Sequence, residues 1–327
     1  MSADSSIEWT DKTWNPVRGC SVISPGCVNC YAMKMAHRFS GEGMGFHGLT
    51  KQTASGPQWT GVVREHISAL NQPLAWKKPQ RIFVNSMSDL FHEGVSDEYI
   101  KNVFTVMAVA KQHTFQILTK RPERMQALLS SWRADDMYDL WHGYSGEPAE
   151  IEAWPLPNVH LGISAESQSM LDARLPYLKE TPAAVRFLSC EPLLSGLDLA
   201  KHRPGASRLW VIVGGESGHG ARPCDVKWIR SIVRQCQESD TPVFVKQLGA
   251  DVRDRNDAGF MGDDPHHWPE IHWAEDRIEH DLDGTRDGYQ GAPVRVRLRN
   301  RKGGDMGEWP EDLRVREFPS EFTRGER

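Results

Sequence analysis

From residue 80 onward the chain repeats one unit: a short apolar run, a polar exit, then helical periodicity. Arg81-Ile82-Phe83-Val84 leads to Asn85-Ser86-Met87-Ser88-Asp89, and a helix follows over 96–110, with Asp97 and Glu98 in its first turn and Val103, Phe104, Met107 and Ala108 in its apolar pattern. Phe115 to Leu118 exits through Thr119-Lys120-Arg121-Pro122 into a helix over 123–129. Val159 to Ile163 gives way to Ser164-Ala165-Glu166-Ser167 and a helix over 170–178. Val185 to Leu188 ends in Ser189-Cys190-Glu191-Pro192. Leu209 to Val213 ends in Gly214-Gly215-Glu216-Ser217-Gly218, a helix is expected over 228–236, and Val243 to Val245 closes the series with Lys246-Gln247.

Continuous apolar runs of this length suit strands buried on both faces, and strands separated by helices pair in parallel. About seven such strands predict an α/β fold, a full or partial TIM-type barrel of repeated βα units; an open sheet gives much the same periodicity. Strand exits at one end of such a barrel form its site. Asn85, Asp89, Thr119, Lys120, Glu166, Glu191, Glu216 and Gln247 are therefore expected around one polar cavity.

Outside the repeat the pattern changes. Residues 31–39 predict a helix on which Met35 and Phe39 share a face, the glycine-rich 41–48 a flexible loop or lid, and 132–157 an insertion rich in Trp, Gly and Pro. Beyond 251 the chain is rich in Gly, Asp, Arg, His and Trp. This divides it into a barrel domain over 1–250 and a C-terminal extension or covering segment over 251–327. Within the extension 294–298 predicts a strand, Trp309 and Phe318 fold back on the body, and 323–327 is expected to be mobile.

Composition adds limits. With 327 residues, 25% charged and 39% hydrophobic, the chain has globular proportions, and no run of eighteen apolar residues occurs. A cytoplasmic protein without a membrane segment is expected. A net charge of -5 and a pI near 6.2 argue against a generally basic nucleic-acid surface, though a local positive groove stays open.

The sharpest chemical signal precedes the repeat. Cys20, Cys27 and Cys30 are separated by six and two residues, and Pro25-Gly26 lets the loop curl back on itself. Three thiolates leave one position open, as in a [4Fe-4S] cluster with one iron available to another ligand. Zinc with His37 or His47 as a fourth ligand, a redox pair, or unligated thiols are the alternatives. Cys190, Cys224 and Cys236 stand apart and are expected in the core. Gly214-Gly215 permits a close turn whose N–H groups could meet an anionic group, Glu216 could accept from an amine or a ribose hydroxyl, and Lys120, Arg121 and Arg222 could orient a carboxylate or phosphate. His92 and His113 are expected to be structural or exposed.

The W-N-P-x-x-G-C-x6-C-x-x-C-Y stretch from Trp14 to Tyr31, with residues 83–91, 118–122, 188–194 and 214–217, resembles the uncharacterised bacterial and phage family of three-Cys-motif proteins, itself similar to radical S-adenosylmethionine enzymes. The likeness runs over about 7–249. It implies that Cys20, Cys27 and Cys30 bind three irons while S-adenosylmethionine takes the fourth; by their place at the strand exits, Asn85, Lys120, Glu166, Glu191, Gly214, Gly215, Glu216 and Arg222 are the expected cofactor contacts. Reduction would then cleave the sulfonium and give a 5'-deoxyadenosyl radical for hydrogen abstraction. An electron donor is implied, as is a partner protein encoded beside it on a mobile element; nucleic acid is a further candidate partner. One departure stands out: the usual radical-enzyme motif has three residues between its first two cysteines and an aromatic before the third, where this chain has six and Asn29. A zinc-stabilised nucleic-acid-binding protein and a noncatalytic partner-binding module are the competing functions.

Overall fold

The computed structural model describes residues 5, 7–145, 151, 153–202, 209–254, 272–273 and 294–320. Seven strands form the main sheet: β1 (Lys12–Trp14), β2 (Arg81–Val84), β3 (Thr114–Thr119), β4 (Val159–Ser164), β5 (Val185–Cys190), β6 (Leu209–Gly214) and β7 (Val243–Gln247). They lie side by side in chain order, and each neighbouring pair is parallel. When strand order equals sequence order, right-handed crossovers all turn the same way, so helices collect on one face and the sheet curls about the other. β1 and β7 share no pairing. The result is a half-barrel of TIM type, and the fully closed form of the expectation is not reached.

The helices are α1 (Tyr31–Arg38), α2 (Asp97–Val109), α3 (Pro122–Leu129), α4 (Ala134–Ser145), α5 (Gln168–Glu180) and α6 (Val226–Glu238). Local chemistry fixes their starts: the Ser96 hydroxyl accepts from Tyr99 N ahead of α2, and the Asp225 carboxylate accepts from Lys227 N ahead of α6. The 132–157 insertion contains α4. On α1 the side of Met35 and Phe39 is exposed, while Ala32, Met33 and Ala36 are buried.

Both faces of the sheet are covered, which is why its strands read as unbroken apolar runs. Ile82, Val84, Ile117, Leu161, Val211 and Val245 pack with Ile100, Phe104, Leu175 and Ile229 in the outer core. Phe83, Phe187, Trp210, Ile212 and Phe244 gather around Trp9 on the inner face. Gly162 makes room for this cluster, since a Cβ there would lie 2.4 Å from the Phe187 ring.

Trp9 sits 4.9 Å from Phe83, and Phe318 sits 5.2 Å from Phe244 and 5.6 Å from Trp210, centroid to centroid. These rings fill the hollow from the N-terminal side of the strands. The opposite end is left for polar groups. Beyond the barrel, Val252–Asp254 pairs with Cys224–Asp225 and with Val294–Arg297, and His272–Trp273 adds an edge. Trp309 is buried as expected and donates Nε1–H to Gly303 O at 2.9 Å. The predicted mobile end, 323–327, lies outside the described residues, as do 255–271 and 274–293 of the extension.

Candidate functional site

The cysteine loop leaves β1 and lies over the C-terminal ends of the strands. Its base is set by Asn15, whose Oδ1 accepts from Met87 N at 3.1 Å and from Ser86 Oγ at 3.2 Å just after β2. A single 3-10 turn, Pro25–Cys27, bends it, and Cys30 caps the start of α1. Tyr31 Oη donates to Ser86 O at 2.6 Å and ties the loop's far end back to β2.

Between these points the loop touches distant strands. Gly26 N donates to Glu166 Oε1 at 3.1 Å after β4, and Asn29 Nδ2 donates to Glu216 Oε2 and to Gly220 O, each at 2.9 Å, after β6. Arg222 Nη1 donates to Pro25 O at 2.8 Å. The second oxygen of each carboxylate also has a partner. Arg174 Nη1 reaches Glu166 Oε2 at 2.9 Å, and Arg222 Nη2 reaches Glu216 Oε1 at 2.5 Å. Burial raises both carboxyl groups, yet both end below their ordinary value. The hydrogen bond from Ser24 and the charges of Arg174 and Lys120 outweigh burial at Glu166, and the hydrogen bonds from Arg222 and Asn29 do so at Glu216.

A second network follows the rim. Asp89 accepts from Thr119 Oγ1 at 2.7 Å, Lys120 N at 3.1 Å and Arg121 Nη1 at 3.1 Å, and Lys120 Nζ donates to Ser164 Oγ at 2.9 Å. Across the mouth Lys246 Nζ meets both Glu191 oxygens at 2.7 and 2.9 Å. Gln247 Nε2 donates to Glu191 Oε1 at 3.2 Å and to Gly215 O at 2.9 Å. The expected polar residues thus share one end of the half-barrel. Asn85 is buried there in a left-handed conformation, φ 61°, that asparagine tolerates; its Oδ1 accepts from Val17 N at 3.2 Å, and its Nδ2 has no partner among the described residues.

The glycines at the end of β6 bring two backbones together. A Cβ on Gly215 would lie 2.1 Å from Leu248 O, and Gly215 N already donates to Gln247 O at 3.0 Å. Gly214 and Gly215 let the exits of β6 and β7 pack backbone to backbone.

Arg121 is not a solvated loop residue. It is buried, its Nε donates to Glu93, and its Nη2 donates to Ser21 Oγ at 2.7 Å, beside Cys20. His92 is also buried, with Nε2 3.0 Å from that hydroxyl. Sequence reasoning overlooked Ser21, Asn29 and Lys246 as site residues, because each matters through a partner far along the chain, and Arg174, which reaches back from α5 to Glu166.

Burial, then Asp89, pushes the Cys20 thiol up to about 12, against the opposing charge of Arg121. Burial also raises Cys30, partly countered by a backbone hydrogen bond at Met33 and by Lys120. Among the described residues no three His, Cys, Asp or Glu side chains are set to grip a single ion. His37 turns Nδ1 toward Thr50 Oγ1 at 3.0 Å. Cys190, Cys224 and Cys236 are buried, as expected of core residues, and His113 is buried with Nε2 3.1 Å from Pro73 O.

No helix among the described residues is long and apolar enough to cross a membrane. No curated protein matches the sequence. Among solved structures, a mutant spore photoproduct lyase is similar over 91% of this chain and 72% of that one, at 12% identity and a TM-score of 0.40. The model of a family described as a protein of unknown function, DUF5131, matches residues 4–298, and the chain belongs to that family.

Proposed function

We propose that the chain is an iron-sulfur enzyme of the radical S-adenosylmethionine type, with Cys20, Cys27 and Cys30 holding a [4Fe-4S] cluster and S-adenosylmethionine bound in the adjoining mouth. One observation carries the reading: a single loop bearing three thiols lies over the C-terminal end of a parallel half-barrel, where such folds place their chemistry. The donor set fits the group. Cys20 and Cys30 pack against an apolar cluster that includes Met33, Phe46 and Met87, while Arg121 and Lys120 bring positive charge toward Cys20 and Cys30 respectively. A cluster holds each thiolate on a separate iron, so it does not need the tight convergence that a lone zinc ion requires.

Bound together, the two groups supply reductive cleavage of a sulfonium bond. The chain's own contribution is binding and orientation. Lys120 Nζ and Asn85 Nδ2 offer donors to a carboxylate or a hydroxyl, and Glu191, held by Lys246 and Gln247, offers acceptors to an amine. The aromatic cluster around Trp9 closes the floor of the half-barrel to water. The reading requires an electron donor.

The test is turnover. Anaerobically reconstituted protein, given dithionite and S-adenosylmethionine, is expected to release methionine and 5'-deoxyadenosine in equal amounts. Lys120→Met should weaken cofactor binding. Reconstituted protein that neither binds nor cleaves the cofactor overturns the proposal.

A further inference from the structure

We infer that Glu166 and Glu216 are positioning residues, two carboxylates that clasp the cysteine loop across the mouth of the half-barrel. Because β1 and β7 do not pair, no strand among the described residues spans the gap in the wall. The loop leaves β1 and is fastened beyond β4 through Gly26 and beyond β6 through Asn29, by hydrogen bonds of 3.1 and 2.9 Å. Each carboxylate is neutralised and aimed by its own arginine, Arg174 or Arg222, and Arg222 also holds Pro25 O.

The loop's sequence suits this grip. A Cβ on residue 26 would sit 3.1 Å from Glu166 Cδ and Oε1, so a side chain there would press on the carboxylate that holds the loop. Asn29 supplies an uncharged donor, Nδ2, to two acceptors at once, where an acidic residue would repel Glu216. With all four of their oxygens bonded to the loop or to the two arginines, Glu166 and Glu216 act through the loop. The clasp itself rests on protein–protein hydrogen bonds. Its value for holding a cluster rests on the function proposed above.

The experiment uses full-length, iron-free, reduced protein and follows iodoacetamide alkylation of Cys27 and Cys30 by mass spectrometry, with circular dichroism to confirm folding. Asn29→Asp sets two carboxylates against each other and should speed alkylation about five- to tenfold, the loss expected for one or two hydrogen bonds. Glu216→Gln keeps the shape of the side chain but weakens the acceptor shared by Asn29 and Arg222, and should speed alkylation by about two- to fivefold. Should Asn29→Asp fail to fold, Gly26→Ala probes the other arm and is expected to speed Cys27 alkylation. An unchanged rate in folded Asn29→Asp, or in folded Glu216→Gln, overturns the clasp. Iron content after reconstitution is measured alongside. Alkylation that follows this pattern with no iron in any variant sinks the iron-sulfur reading and leaves the clasp standing; iron retained with alkylation unmoved does the reverse.

Discussion

Replacing Arg174 with methionine would strand a charge. The Glu166 side chain is 0% exposed and that of Arg174 8%, with Nη1 2.9 Å from Oε2 and 2.8 Å from Ser164 O. Removing one partner of a buried pair leaves the other uncompensated, at a cost of about 3–5 kcal/mol. At about 2–4 °C per kcal/mol for a domain approaching this size, the melting temperature should fall by roughly 6–20 °C. Urea unfolding followed by circular dichroism at pH 7 should show a lower midpoint at unchanged slope. The pH dependence has a defined sign. Burial is the largest influence on Glu166 and raises its pKa; without Arg174 less opposes it, so the folded value rises and the stranded carboxylate takes up a proton as the pH falls. The deficit of the variant should therefore be full at neutral pH and shrink toward acid. A variant within about 1 kcal/mol of wild type at pH 7, or a deficit that grows in acid, would refute the argument.

Three further outcomes follow from the same structure. Trp9→Ala empties the floor of the half-barrel and should cost about 3–5 kcal/mol in urea unfolding, while a loss below about 1 kcal/mol would mean that the ring is not a core element. Gly215→Ala places a Cβ 2.1 Å from Leu248 O and should destabilise the fold by about 1–3 kcal/mol by thermal melting; unchanged melting would show that β6 and β7 can part there. Glu216 has a folded pKa below its ordinary 4.5, so the stability that it contributes is present above 4.5 and is lost as the pH falls through the folded value. The wild type's advantage over Glu216→Gln in urea midpoint should thus narrow between about pH 5 and pH 3, and an advantage constant across that range would count against the ion pair.

The sheet was legible in the sequence because both its faces are buried. Runs such as Leu209 to Val213 carry no polar alternation, and each is followed by polar residues that converge only because parallel strands end together. The three cysteines were legible as a set through spacing alone. Closure was not, since nothing in β1 or β7 records whether the two pair. α4 escaped notice although Asp135 and Asp136 mark its first turn, because tryptophans, glycine and prolines around it read as loop. The fastening of the loop was invisible for a different reason. Gly26 and Glu166 are 140 residues apart, Asn29 and Glu216 are 187 apart, and no local pattern encodes a contact between two strand exits and a loop. Glu166 and Glu216 were found by position at those exits, and what they touch came only from the fold.

The most direct test of the central claim is metal analysis of protein purified without oxygen: iron, sulfide and zinc per chain, with electron paramagnetic resonance after reduction, for wild type and for Cys27→Ala/Cys30→Ala. The account predicts about four irons and four sulfides in the wild type, absent from the variant, and a reduced-cluster signal that changes when S-adenosylmethionine is added. About one zinc per chain with no cluster signal would contradict it.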